Sequence, residues 1–212
     1  MSNPTSYNST NLEEKVYSLD DIDASLTYSY ANYLNWLFDD RVELINGKLF
    51  RMCPASSSLH QEISGNIFSV FHRYLKGKSC KVYYAPFDVR FPKDSKADKD
   101  IYTVLQPDIS VICNPVKIDK RGCIGAPDLV IEILSPGNNK KELLNKYNVY
   151  EEYGVKEYWI ISPEEKTLLK YTMDRQGKYQ PSKLFTLSEK VNSVVLPGFE
   201  LDLDDVFDDE CV

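Results

Sequence analysis

No apolar run in this chain approaches the ~20 residues of a membrane-spanning helix, and no basic-then-apolar leader opens it. Neither a membrane anchor nor a secretory signal is therefore expected. No C-x-x-C pair occurs among Cys53, Cys80, Cys113, Cys123 and Cys211, which excludes the usual structural zinc spacings. Their odd number argues for reduced thiols in a cytoplasmic setting. There is no P-loop, no H-E-x-x-H and no G-x-S-x-G, so three large enzyme classes leave no trace. A basic surplus is missing too, the net charge being -7. The last thirteen residues hold seven acids, from Glu200 to Glu210, and no base. The remainder is thus near neutral, and charge neither supports nor excludes a nucleic-acid partner.

What is present fits one globular domain: 212 residues, 42% hydrophobic and 27% charged. Residues 1–20, rich in Ser, Asn and Thr, read as a mobile leader, 21–206 as the domain and 207–212 as an acidic tail. Tyr30, Tyr33, Leu34, Leu37 and Phe38 recur at helical spacing. Asn46-Gly47 marks a tight hairpin between 42–45 and 48–52. A second helix starts at Ser58, with Gln61 completing a capping box and His60 on its buried side. Strands over 82–91 and 101–113 follow, joined by a polar tip at 93–99. Asn139 with Glu142 caps a third helix, which carries Leu143, Leu144, Tyr147 and Tyr150 as its apolar stripe and Lys146 at the border. A strand over 157–161 and a hairpin around Gln176-Gly177 come next. This order favours a mixed sheet with helices packed on it.

The most informative stretch spans residues 106–136: Q-P-D-I-S-V-I-C, a loop, then A-P-D-L-V-I-E-I-L-S-P. Both halves are apolar runs of strand length, as in a sheet covered on both faces. Each carries acid where such a sheet should have none. Asp108 opens the first, and Glu132 lies inside the second. A buried carboxylate costs several kcal/mol, roughly, unless a partner or metal takes up its charge. Two carboxylates on neighbouring strands suit magnesium, or manganese, with water and a phosphate completing the shell. Such an ion activates water and offsets charge on a leaving oxygen.

These residues resemble the PD-(D/E)XK nuclease superfamily. The longer runs G-A-P-D-L-V-I-E-I-L-S-P at 125–136 and G-V-K-E-Y-W-I-I-S-P at 154–163 are similar to the Uma-two family of restriction-endonuclease-like proteins. V-E-L-I-N-G-K-L at 42–49 and L-H-Q at 59–61 add to the likeness, which covers roughly 27–206. The resemblance implies an α/β (α+β) restriction-endonuclease-like core: a central mixed β-sheet flanked by helices, with additional β-hairpins. It also implies a divalent metal on Asp108 and Glu132 and hydrolysis of DNA phosphodiesters. By motif position it implicates Glu43, His60, Asp108, Glu132 and Lys146. Two active sites suit duplex cleavage, so a homodimer is expected.

One position departs from the superfamily. Its usual lysine, two residues after the second acid, is here Leu134. Either Lys146 (or Lys140 or Lys141) supplies the ammonium from the helix, or the chain is a weak or inactive nucleic-acid-binding or assembly module. A hydrolase of smaller phosphate esters is a third reading. Each residue also has a structural alternative: Glu132 and Lys146 as an ion pair, Asp108 as turn chemistry, Glu43 facing solvent, His60 as a core histidine.

Overall fold

A computed structural model describes residues 15–52, 57–135 and 140–208. In chain order come a short helix α1 (Tyr30–Tyr33), the hairpin β1 (Val42–Ile45) and β2 (Lys48–Arg51), and the long helix α2 (Ser58–Leu75). Then follow β3 (Lys81–Tyr84), β4 (Val89–Arg90), β5 (Val104–Leu105) and β6 (Ile109–Ile112). The small hairpin β7 (Ile118–Asp119) and β8 (Gly122–Ile124) precedes β9 (Leu129–Ile133), α3 (Lys140–Tyr153) and β10 (Glu157–Ser162). The last elements are β11 (Thr167–Met173), β12 (Tyr179–Phe185), β13 (Lys190–Asn192), β14 (Glu200–Asp202) and α4 (Leu203–Val206).

The described residues gather into two compact units, 15–52 with 90–105, and 57–89 with 106–135 and 140–208. In the first, β1 pairs antiparallel with β2 and with β5. Asn46 and Gly47 turn the hairpin with φ of 50° and 74°, the left-handed pair that a two-residue turn requires. A Cβ at position 47 would also meet the Thr27 side chain at 2.3 Å, so glycine is needed twice over. The periodic stretch from Tyr30 to Phe38 forms one helical turn only. The chain then leaves the helix, and Val16 bridges Trp36.

The second unit is built on a six-stranded sheet of order β12-β11-β10-β9-β6-β3. β9 lies inside it, parallel to β10 and antiparallel to β6, and all five of its residues are buried. Strand alternation then divides the neighbours. Leu129, Ile131 and Ile133 face Ile63, Ile67 and Phe71 of α2 in the main core, with Trp159 and Ile161 of β10. The even-numbered Val130 and Glu132 point to the other face, where α3 packs. Ile63, Ile67, Phe71 and Leu75 recur at four-residue spacing, which lays one stripe of α2 on the sheet.

Three local expectations need correcting. The strands read over 82–91 and 101–113 each break in two, β3 with β4 and β5 with β6, because the apolar runs continue through Pro86 and Pro107, which have no N–H to donate to a ladder. Ser57, not Ser58, caps α2, its hydroxyl accepting the His60 N–H. Three serines in a row made the two positions equivalent on paper. Cys80 and Cys113 are not reduced thiols but a disulfide, one step beyond the Lys81–Ile112 pair. Cross-strand register, invisible in sequence spacing, brings them together. The Asn139 cap, Cys53 and Cys211 lie outside the described residues.

Candidate active site

The site begins with the register of the two middle strands. Ile109 of β6 stands opposite Ile131 of β9. One step further along that register, Asp108 comes against Glu132. That register sets both acids at one end of the sheet, Glu132 toward Lys146 of α3 and Asp108 toward His60 of α2. It does so at the carboxyl ends of the parallel strands β9 and β10, where ligand crevices of α/β sheets open.

From one side α3 reaches Glu132. Lys146 Nζ lies 3.1 and 3.0 Å from the two carboxylate oxygens, and the Tyr150 hydroxyl donates to Oε1 at 2.5 Å. Lys146 and Tyr150 are four residues apart, one helical turn, and so share a face. Glu132 is 6% exposed and Lys146 5%, so the pair is a desolvated one in which each charge depends on the other. Tyr158 packs beside them, ring to ring with Tyr150. Burial, then the nearby Glu132 charge, holds its phenol well above the usual range, so it stays protonated.

From the other side α2 reaches Asp108. The carboxylate accepts the Ile133 N–H at 2.8 Å and faces His60 Nε2 at 3.4 Å. His60 stands in the first turn of α2, whose partial positive end favours an anion nearby. Burial alone would push the imidazole pKa down. The hydrogen bond and charge of Asp108, the Ile133 backbone and the Glu132 charge outweigh it, and the pKa lies above the ordinary value.

Four of the five residues singled out in the sequence, His60, Asp108, Glu132 and Lys146, thus meet around one end of β9. Glu43 lies in the other compact unit, on β1, and is buried at 2% exposure rather than facing solvent. All four residues of its strand are buried, so the alternation of one wet and one dry face does not apply. Tyr150 was missed, because a tyrosine within an apolar helical stripe reads as packing. Its spacing from Lys146 was the available signal. Asp128 was missed too. Its carboxylate accepts the Cys113 N–H and pairs with Lys156. Leu134 donates its N–H to the Ile161 carbonyl, extending β9 with an aliphatic side chain where the superfamily has lysine.

Asp108 and Glu132 are the side chains suited to a hard cation. Among the described residues no three His, Cys, Asp or Glu side chains gather closely enough to hold a metal ion. Two carboxylates could hold magnesium, an ion that keeps several waters and takes phosphate oxygens for the rest.

The chain has relatives among known proteins. Over 124 residues the chain is 27% identical to "Uncharacterized protein slr1290" of Synechocystis sp., covering 58% of this chain and 61% of that one. The chain thus spans about three-fifths of that relative's length. A crystal structure described as "a putative nuclease belonging to DUF820", from Anabaena variabilis, superposes with a TM-score of 0.66. That likeness covers 85% of this chain and 97% of the other at 21% identity, and it establishes the shared fold. Residues 30–204 match the family model described as "Uma2: Putative restriction endonuclease", and the chain belongs to that family.

Proposed function

We propose that this protein is a divalent-metal-dependent endonuclease that hydrolyses DNA phosphodiester bonds. What supports the reading is that Asp108 and Glu132 lie at one end of adjoining strands, Asp108 against His60 and Glu132 against Lys146. Asp108 and Glu132 would hold magnesium, or manganese. When bound, such an ion polarises a phosphate and makes hydroxide available near neutral pH.

The chain's own residues do the rest. Lys146 replaces the lysine that Leu134 lacks. From the helix it places an ammonium where it can orient water or offset the extra negative charge on phosphorus. Tyr150 holds Glu132 in one orientation, and the α2 end with His60 steadies Asp108. The enclosing apolar strands exclude bulk water, which strengthens every charge interaction within. A two-fold dimer would set one such site on each strand of a duplex, and sedimentation would detect it. Glu43 is retained as a candidate, its part to be read by Glu43→Gln.

Supercoiled plasmid incubated with magnesium and wild type, Asp108→Asn, Glu132→Gln or Lys146→Met tests this directly. Wild type should nick, and each variant should lose activity by at least tenfold. Equal residual nicking in all four would remove the nuclease reading. Metal binding without any cleavage would favour the non-catalytic module, for which Leu134 is the favouring feature.

A further inference from the structure

Beside Glu132 opens a groove with no charged side chain in its lining, about 590 Å³ in volume. Its floor is a single register row. Glu132 stands beside Ile160, Ile160 opposite Leu169, and Leu169 opposite Leu184. Members of such a row share a sheet face, so the groove begins one strand spacing, ~4.8 Å, from the Glu132 position. Leu143, Leu144 and Tyr147 of α3 form one wall, and Tyr171 lies beyond. Ser162 and Thr167, paired across β10 and β11, add hydroxyls at the same end of the sheet as Asp108. Leu144 and Leu184 are each 55% exposed, unusual for leucines that line a common depression.

A charged site running into an uncharged, partly aromatic trough matches the two ends of one nucleotide. Phosphate belongs with the acids and their cation, whereas a base gains from apolar and aromatic surface and needs a few hydroxyls at its edge. A base inside a duplex has both faces stacked and cannot enter. We propose that the groove receives an unpaired base of the nucleotide whose phosphate lies at Asp108 and Glu132. The substrate is then single-stranded or locally unpaired nucleic acid. This rests on the nuclease reading above and names the substrate class of that site.

The test is binding without turnover. In EDTA, fluorescence anisotropy compares a short labelled single strand carrying 2-aminopurine with the same strand in a duplex, on wild type and on a variant combining Leu144→Gln and Leu184→Gln. Both leucines are exposed, so the double variant keeps its core. Wild type should bind the single strand at least tenfold tighter and change the 2-aminopurine emission. The double variant should lose about tenfold in single-strand affinity and leave duplex binding unchanged. Equal affinity for the two forms, or an unaltered preference in the double variant, overturns the proposal. So does a wild-type dimer that dissociates in the double variant with DNA binding unchanged, since the groove then holds a second copy. Failure of the nuclease reading shows separately, as absence of magnesium-dependent nicking while the single-strand preference persists.

Discussion

Glu132 occupies the middle strand of a covered sheet, and Lys146 and Tyr150 meet its charge there. Removing one member of such a pair leaves the other buried and unbalanced, which costs about 3–5 kcal/mol. Lys146→Met should therefore lower stability by about that amount in metal-free urea titrations, and adding Glu132→Gln should recover most of the loss. If magnesium enters the site, it should raise the melting temperature of Lys146→Met more than that of wild type. Tyr150→Phe keeps the ring and deletes the hydroxyl. Because partners that orient a metal ligand commonly set affinity by 10–100-fold, roughly, this variant should bind magnesium at least tenfold more weakly in calorimetric titration. The acids were legible in the sequence because a charged letter inside an apolar strand has a large desolvation cost to explain. Tyr150 was not, since its hydrogen bond is a matter of where a helix lands.

At the scale of elements, β9 decides the geometry and its neighbours aim it. Its apolar run was legible as a buried strand, and α2 and α3 were legible from their stripes and from Gly77 and Gly154, which follow their ends with positive φ. The breaks at Pro86 and Pro107 and the Cys80–Cys113 disulfide were not, because they depend on pairing partners far away in the chain. Leu134 follows Glu132 by two residues, so the strand period puts both on one side. Leu134→Lys in the Lys146→Met background should then restore part of the plasmid nicking that the single variant loses. Asp128, just before β9, ties Cys113 and Lys156 together. Burial pushes its pKa up, but Lys156, the Cys113 N–H and Lys117 more than offset this and bring it below the ordinary value. Its stabilisation is present above the unfolded carboxylate pKa of about 3.9 and is lost as pH falls through the lower folded value. Asp128→Ala should cost about 1–3 kcal/mol at neutral pH. Urea titrations at decreasing pH should show the gap from wild type closing below about pH 4.

For the whole molecule, family and fold were readable from motif runs that extend over most of the chain, whereas the division into two compact units was not. The first unit takes residues 90–105 from the middle of the sequence, and no change in composition marks where they leave and return. The proposed activity requires Asp108 and Glu132 to share one cation. Manganese titration followed by electron paramagnetic resonance measures that sharing without requiring turnover. One manganese ion per chain should bind wild type, and Asp108→Asn and Glu132→Gln should each weaken it at least tenfold, while Asp128→Ala should leave it unchanged. Undiminished binding in either of the first two variants would contradict the shared-cation site.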